Sequence, residues 1–110
     1  MILRLWRGWT DPEHSEAYQT LLAGTIAPAI IERDVPGLQD LTVLRRHPRE
    51  LDPAAGGEWL TAMTFTDLDA VAAFTRGDPR TSVVPPAARA LLARFDEHSQ
   101  HYTTVRRFSS

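Results

Sequence analysis

At 110 residues and a net charge of −2, the chain can build one hydrophobic core but not two. Residues 1–110 therefore read as a single domain, without the positive field that sequence-independent nucleic-acid binding requires. Hydrophobic residues make up 43% and charged residues 24%, the ordinary balance of a soluble globular protein. Cys and Lys are absent, all 12 basic residues being Arg, which excludes disulfides, thiolate nucleophiles, Cys-ligated metals and Schiff-base chemistry on a side-chain amine.

The opening Met1-Ile2-Leu3-Arg4-Leu5-Trp6-Arg7 is too short and too interrupted by arginine for a signal peptide. No apolar run nears the ~20 residues of a membrane span, so a cytoplasmic protein with no membrane partner is expected. Residues 2–9 place branched and aromatic side chains in near alternation and predict the first strand. Thr10-Asp11-Pro12-Glu13 stops it and starts a helix. Thr10 with Glu13 fits a capping box, and Asp11 with Pro12 at the first helical position fits equally well. The helical stripe is Ala17, Tyr18, Leu21, Leu22, Ile26, Ala29 and Ile30. Gly24 and Pro28 fall inside it and predict a kink or a broken second half. Val35-Pro36-Gly37 is a turn.

Residues 38–46 and 58–65 predict the second and third strands, joined as a hairpin with a mobile tip by a polar loop from His47 to Gly57 that contains Pro48, Pro53 and Gly56. Thr66 or Asp67 caps a short helix with Leu68, Val71 and Phe74 inward, ended by Gly77. Pro85 or Pro86 opens another, with the stripe Ala88, Leu91, Leu92 and Phe95, ending near Glu97. Residues 101–108 predict the last strand. The order β-α-β-β-α-α-β predicts a ferredoxin-like α+β sandwich whose second crossover helix is split in two. Right-handed crossovers are read as placing strands one and three parallel at the centre, with four beside one and two beside three.

Helices cover one face of such a sheet, and the other should be polar in a monomer. Here both parities are apolar. Leu3, Leu5 and Trp9 oppose Ile2 and Trp6; Leu41 and Val43 oppose Leu38 and Leu44. Trp59, Met63 and Phe65 oppose Leu60 and Ala62; Val105 opposes Tyr102 and Phe108. A second copy packed sheet on sheet would cover the exposed side, so a homodimer through sheet faces is expected.

The segments "LWRGWT", Tyr18, "PAI" before a Gly turn, "TFTDLDAVAAF", Gly77-Asp78, "VVPPAARALL" and the closing "HY" resemble the antibiotic biosynthesis monooxygenase-like superfamily of dimeric α+β barrels over nearly the whole chain. The resemblance implies oxygenation of an electron-rich aromatic ring by O₂ without metal or flavin, hence no cofactor. It also implies a pocket between helices and sheet in each subunit. Haem-degrading relatives use an Asn, Trp and His set, and this chain contains no Asn, which argues against haem degradation.

Strand adjacency is read as bringing Trp6, Gly8 and Trp9 near His101 and Tyr102, with Phe65 at the same edge and Trp59 at the opposite end. His101 is the candidate catalytic proton acceptor, its alternative being a strand-start histidine bonded to backbone or held at the dimer seam. Trp6, Trp9, Tyr18, Phe65 and Tyr102 are the candidate substrate-binding residues. One of Trp6 and Trp9 is expected to be pocket wall and the other core, with Gly8 opening space for a ligand or permitting a bulge. His98 reads as a favourable charge at a helix C-terminus. A His98-x-x-His101 metal pair would have to converge across a helix-to-strand junction, so no metal site is expected. Two functions follow: a cofactor-independent monooxygenase acting on a small aromatic or quinol-type compound, or a non-catalytic ligand-binding or structural homodimer of the same fold. A cavity able to hold a ring, with a histidine or tyrosine inside, favours the first.

Overall fold

A computed structural model describes residues 1–52 and 54–110. Five strands, β1 (Ile2–Trp9), β2 (Leu38–Arg45), β3 (Glu58–Phe65), β4 (Arg94–Phe95) and β5 (Gln100–Thr103), form one sheet. Its order is β2-β3-β1, with β4 and β5 sharing the far edge of β1. β1 and β3 are antiparallel, not parallel as the sequence reading had them. The physical reason is connectivity: the helical crossover makes β1 and β2 parallel, and the hairpin then reverses β3, so a strand inserted between them opposes both. The reversal swaps the expected ends. Phe65 pairs with Ile2, and Trp59 pairs with Gly8.

The first crossover begins with a 3-10 turn at Pro12–His14 and continues as α1 (Ser15–Leu21), a π-helical stretch (Leu22–Ile26) and α2 (Ala27–Glu32). Asp11 stands before Pro12, but its side chain makes no capping bond. The expected break at Gly24 and Pro28 takes the form of that wider π turn. It shifts the phase of the stripe, so Ala27 is buried while Ala29 is exposed. α3 (Leu68–Thr75) is capped by Asp67, whose carboxylate accepts from the Ala70 amide at 2.8 Å. Val71 and Phe74 point inward, but Leu68 is exposed, and Arg76 rather than Gly77 takes the left-handed conformation that ends the helix.

α4 is one short turn, Pro86–Arg89, and does not reach Glu97. Leu91 and Leu92 follow in a turn, and Phe95 lies in β4 opposite Gly8. The Ala93 amide donates to the Trp9 carbonyl and the Asp96 amide to the Arg7 carbonyl. β5 covers only the Ile2–Leu5 half of β1, so the chain from Ala93 onward is drawn to the remaining backbone groups instead of continuing as a helix. The last strand is also shorter than expected: Val105 and Phe108 lie beyond it, 97% and 78% exposed. Pro53 of the hairpin loop lies outside the described residues. Among the described residues no helix is long and apolar enough to cross a membrane.

Partners across a ladder share a face. Ile2, Arg4, Trp6 and Gly8 share theirs with Phe65, Met63, Thr61 and Trp59, and this is the face the helices cover. A bulge between Leu38 and Asp40 turns Leu38 to the same side as Leu41, against the alternation expected for that strand. The opposite face carries Leu3, Leu5, Trp9, Leu44, Leu60, Ala62 and Tyr102, with Leu44 and Tyr102 exposed.

Candidate functional site

The antiparallel register lays side chains in rows across the sheet. One row on the helix side reads Leu41, Met63, Arg4, His101, and the next reads Val43, Thr61, Trp6. Over them lie Tyr18, Leu22 and Ile26 of the first crossover, Phe74 of α3, and the stretch Val83–Pro85 with Ala88. Between sheet and cover lies a partly open cavity of about 50 Å³ whose wall is mostly apolar.

Arg4 lines this cavity and is only 3% exposed. Its Nη1 donates to the Pro79 carbonyl and to His101 Nε2 at 3.0 Å, and its Nη2 donates to the Thr81 carbonyl at 2.8 Å. The guanidinium lies 5.4 Å from the centre of the Phe74 ring. Among the described residues no carboxylate pairs with it. Burial lowers its pKa to about 10, which leaves it charged at neutral pH. A guanidinium carries no acceptor, so in the Arg4–His101 bond Nε2 accepts and the neutral ring keeps its proton on Nδ1. Burial, and then the charge of Arg4, hold His101 below the usual histidine range.

Of the candidates from the sequence, Trp6 and Tyr18 line the cavity. His101 reaches it through Arg4. Trp6 donates its indole N–H to the Asp96 carbonyl at 2.8 Å. The space above Gly8 is taken by the Trp6 ring and Leu92, against which a Cβ would fall at 2.9 Å, so this glycine makes room for protein and not for a ligand. Tyr18 is buried, which raises its phenol to about 12, and it meets Trp59 edge-on at 5.1 Å.

Three candidates fall elsewhere. Trp9 is on the opposite face, donating to Glu58 Oε1 at 3.0 Å with the Arg94 guanidinium 4.0 Å from its ring centre. Tyr102 pairs with Leu3 on that same outer face. Phe65 sits behind the cavity wall, 5.8 Å from Phe74. Alternation separates Trp9 and Tyr102 from Trp6 and His101, and the reversed β3 moves Phe65 to the far end. The same reversal brings Trp59, expected to be remote, beneath Tyr18. His98 is not at a helix end but in a bridge with Thr81. Among the described residues no three His, Asp or Glu side chains converge as a metal centre would require.

Arg4 is the residue that reading the sequence passed over. The signal was present: a charge at an even position between Ile2 and Trp6, on one of the two apolar sides of a central strand.

No family model matches the sequence. A stretch of 87 residues, 77% of the chain, is 34% identical to part of the histidinol dehydrogenase of Leifsonia xyli subsp. xyli, and the chain spans only 20% of that protein's length. Solved structures match over the full length. A "putative antibiotic biosynthesis monooxygenase" of Deinococcus radiodurans superposes with a TM-score of 0.63 at 17% identity, covering 100% of this chain and 98% of that one. A dimeric ferredoxin-like protein from an uncultured marine organism follows at 0.60 and 10% identity, covering 99% and 98%. The chain therefore has the ferredoxin-like α+β fold that these solved structures share, which is the fold its sequence resemblance implies.

Proposed function

We propose that the protein is a homodimeric, cofactor-independent monooxygenase acting on a small aromatic or quinol-type compound bound between helices and sheet. The observation that carries this reading is a charged, buried guanidinium in the wall of an otherwise apolar cavity beside Trp6 and Tyr18. Such a reaction starts when a phenol gives up its proton to solvent water and its electron-rich anion passes an electron to O₂. Recombination forms a ring carbon–oxygen bond, and loss of water leaves a quinone. Phenol and O₂ thus give quinone and water, with all the electrons drawn from the substrate. Arg4 would favour the phenolate electrostatically from the cavity wall. His101 cannot take the phenolic proton at Nε2 while that nitrogen accepts from Arg4, so its role in this geometry is to hold the guanidinium.

The alternative is a non-catalytic ligand-binding or structural dimer, and the cavity's size favours the structural half of it. At about 50 Å³ it is smaller than the roughly 150 Å³ of an engineered cavity that admits benzene. Admission of a ring requires the wall to yield; its Val83–Pro85 segment has no regular secondary structure, although Val84 packs on the core and the Val84 and Pro85 carbonyls accept hydrogen bonds. Titration of tryptophan fluorescence with hydroquinones and naphthols, followed by oxygen-electrode readings on each binder, separates the readings. Saturable quenching with O₂ uptake that falls in His101→Ala supports the oxygenase. Binding without uptake supports a ligand carrier, and no binding supports the structural dimer.

A further inference from the structure

We infer that the cavity selects a small monoanion, an oxyanion carried on a single apolar ring, with its charged oxygen against Arg4. This deepens the reading of the cavity as a ligand site and rests on it, but it does not require oxygenation. The argument is one of charge and of hydrogen-bond accounting. A guanidinium has five N–H groups and no acceptor. Two carbonyls and His101 engage three of them and supply dipoles, while no carboxylate among the described residues supplies a negative charge. A buried cation is ordinarily paired, because a dipole compensates the lost hydration less fully than a counter-charge does. Arg4 lines the cavity, whose remaining wall offers Met63, Leu22, Ile26 and Phe74 to an apolar body. A ring bearing a phenolate or carboxylate oxygen completes both halves, and a neutral isostere completes only one. A divalent anion would leave an uncompensated charge among those side chains.

The test measures binding alone, under argon, so that turnover plays no part. Benzoate and its neutral isostere benzamide are titrated into the full chain, and para-nitrophenol is titrated spectrophotometrically across pH in the presence and absence of protein. Benzoate is expected to bind at least about tenfold more tightly than benzamide. The bound nitrophenol is expected to ionise about one pH unit lower than the free dye, the same factor expressed as a pKa. Arg4→Met, which replaces a buried charge with an apolar chain of similar length, should abolish both differences. His101→Gln, which keeps an acceptor, should retain them. Equal binding of benzoate and benzamide, no binding of either, or unchanged selectivity in Arg4→Met would overturn the inference. If Arg4→Met does not fold, the benzoate–benzamide comparison on the native chain decides alone. Anion selectivity without O₂ uptake would sink the oxygenase and leave this inference standing.

Discussion

Arg4 and His101 show how one strand position converts alternation into chemistry. Arg4 follows Ile2 and precedes Trp6 on the covered side of β1, so its charge is delivered into the core by register alone. His101 lies directly opposite, and it is lodged there neutral. The sign of its pH effect follows. Its folded pKa is below the usual 6.5, so the unfolded chain takes up the proton first. The histidine's contribution to stability is complete above about 6.5 and is lost as pH falls from there through the lower folded value. Urea titrations between neutral and mildly acid pH should therefore show a falling midpoint in the native chain and a shallower fall in His101→Gln. Equal slopes would mean that His101 is not held neutral. The pair was only half legible in the sequence. His101 stood out by residue type, whereas Arg4 could not be placed until it was known which of two apolar parities faces the helices.

Among the elements, those with clean periodicity and local punctuation were readable: β1, β3 and the Asp67-capped α3 lie where alternation and capping put them. The helix expected from Pro85 to Glu97 failed because its apolar stripe also suits a turn followed by an edge strand, and the free backbone of β1 decided between them. Gly24 marked a real irregularity, yet its form, a π turn without a chain break that leaves both Leu22 and Ala27 buried, is not written in the local residues. This glycine is exposed and helical, and a Cβ there meets nothing within 4 Å. Gly24→Ala should accordingly raise stability by roughly 0.5–1 kcal/mol through lower backbone entropy in the unfolded chain. Chemical denaturation measures it directly. A loss of stability instead would show that the π turn needs the glycine.

On the scale of the molecule, the sequence conveyed a two-layer fold and a second apolar sheet face, and both are present. What it did not convey correctly was the relative direction of β1 and β3, and with it which aromatic residues meet. We expect the open face, centred on Leu5 and Ala62, to be covered by a second copy. Sedimentation at micromolar concentration should give a dimer for the native chain and a monomer for Leu5→Glu, since a carboxylate there would be buried unpaired in the assembly. A monomeric native chain would leave that face without its expected partner. The face proposed for the dimer and the cavity lie on opposite sides of the sheet, with Trp9 and Tyr102 on the first side and Trp6 on the second.

That division gives the measurement that tests the central claim most directly, a nitrogen–proton correlation spectrum of the three indole N–H groups during titration with benzoate. The account predicts that the Trp6 resonance moves saturably while that of Trp9, across the sheet, stays in place. A spectrum in which Trp9 moves and Trp6 does not, or in which neither moves, would contradict a ligand site between the helices and the sheet.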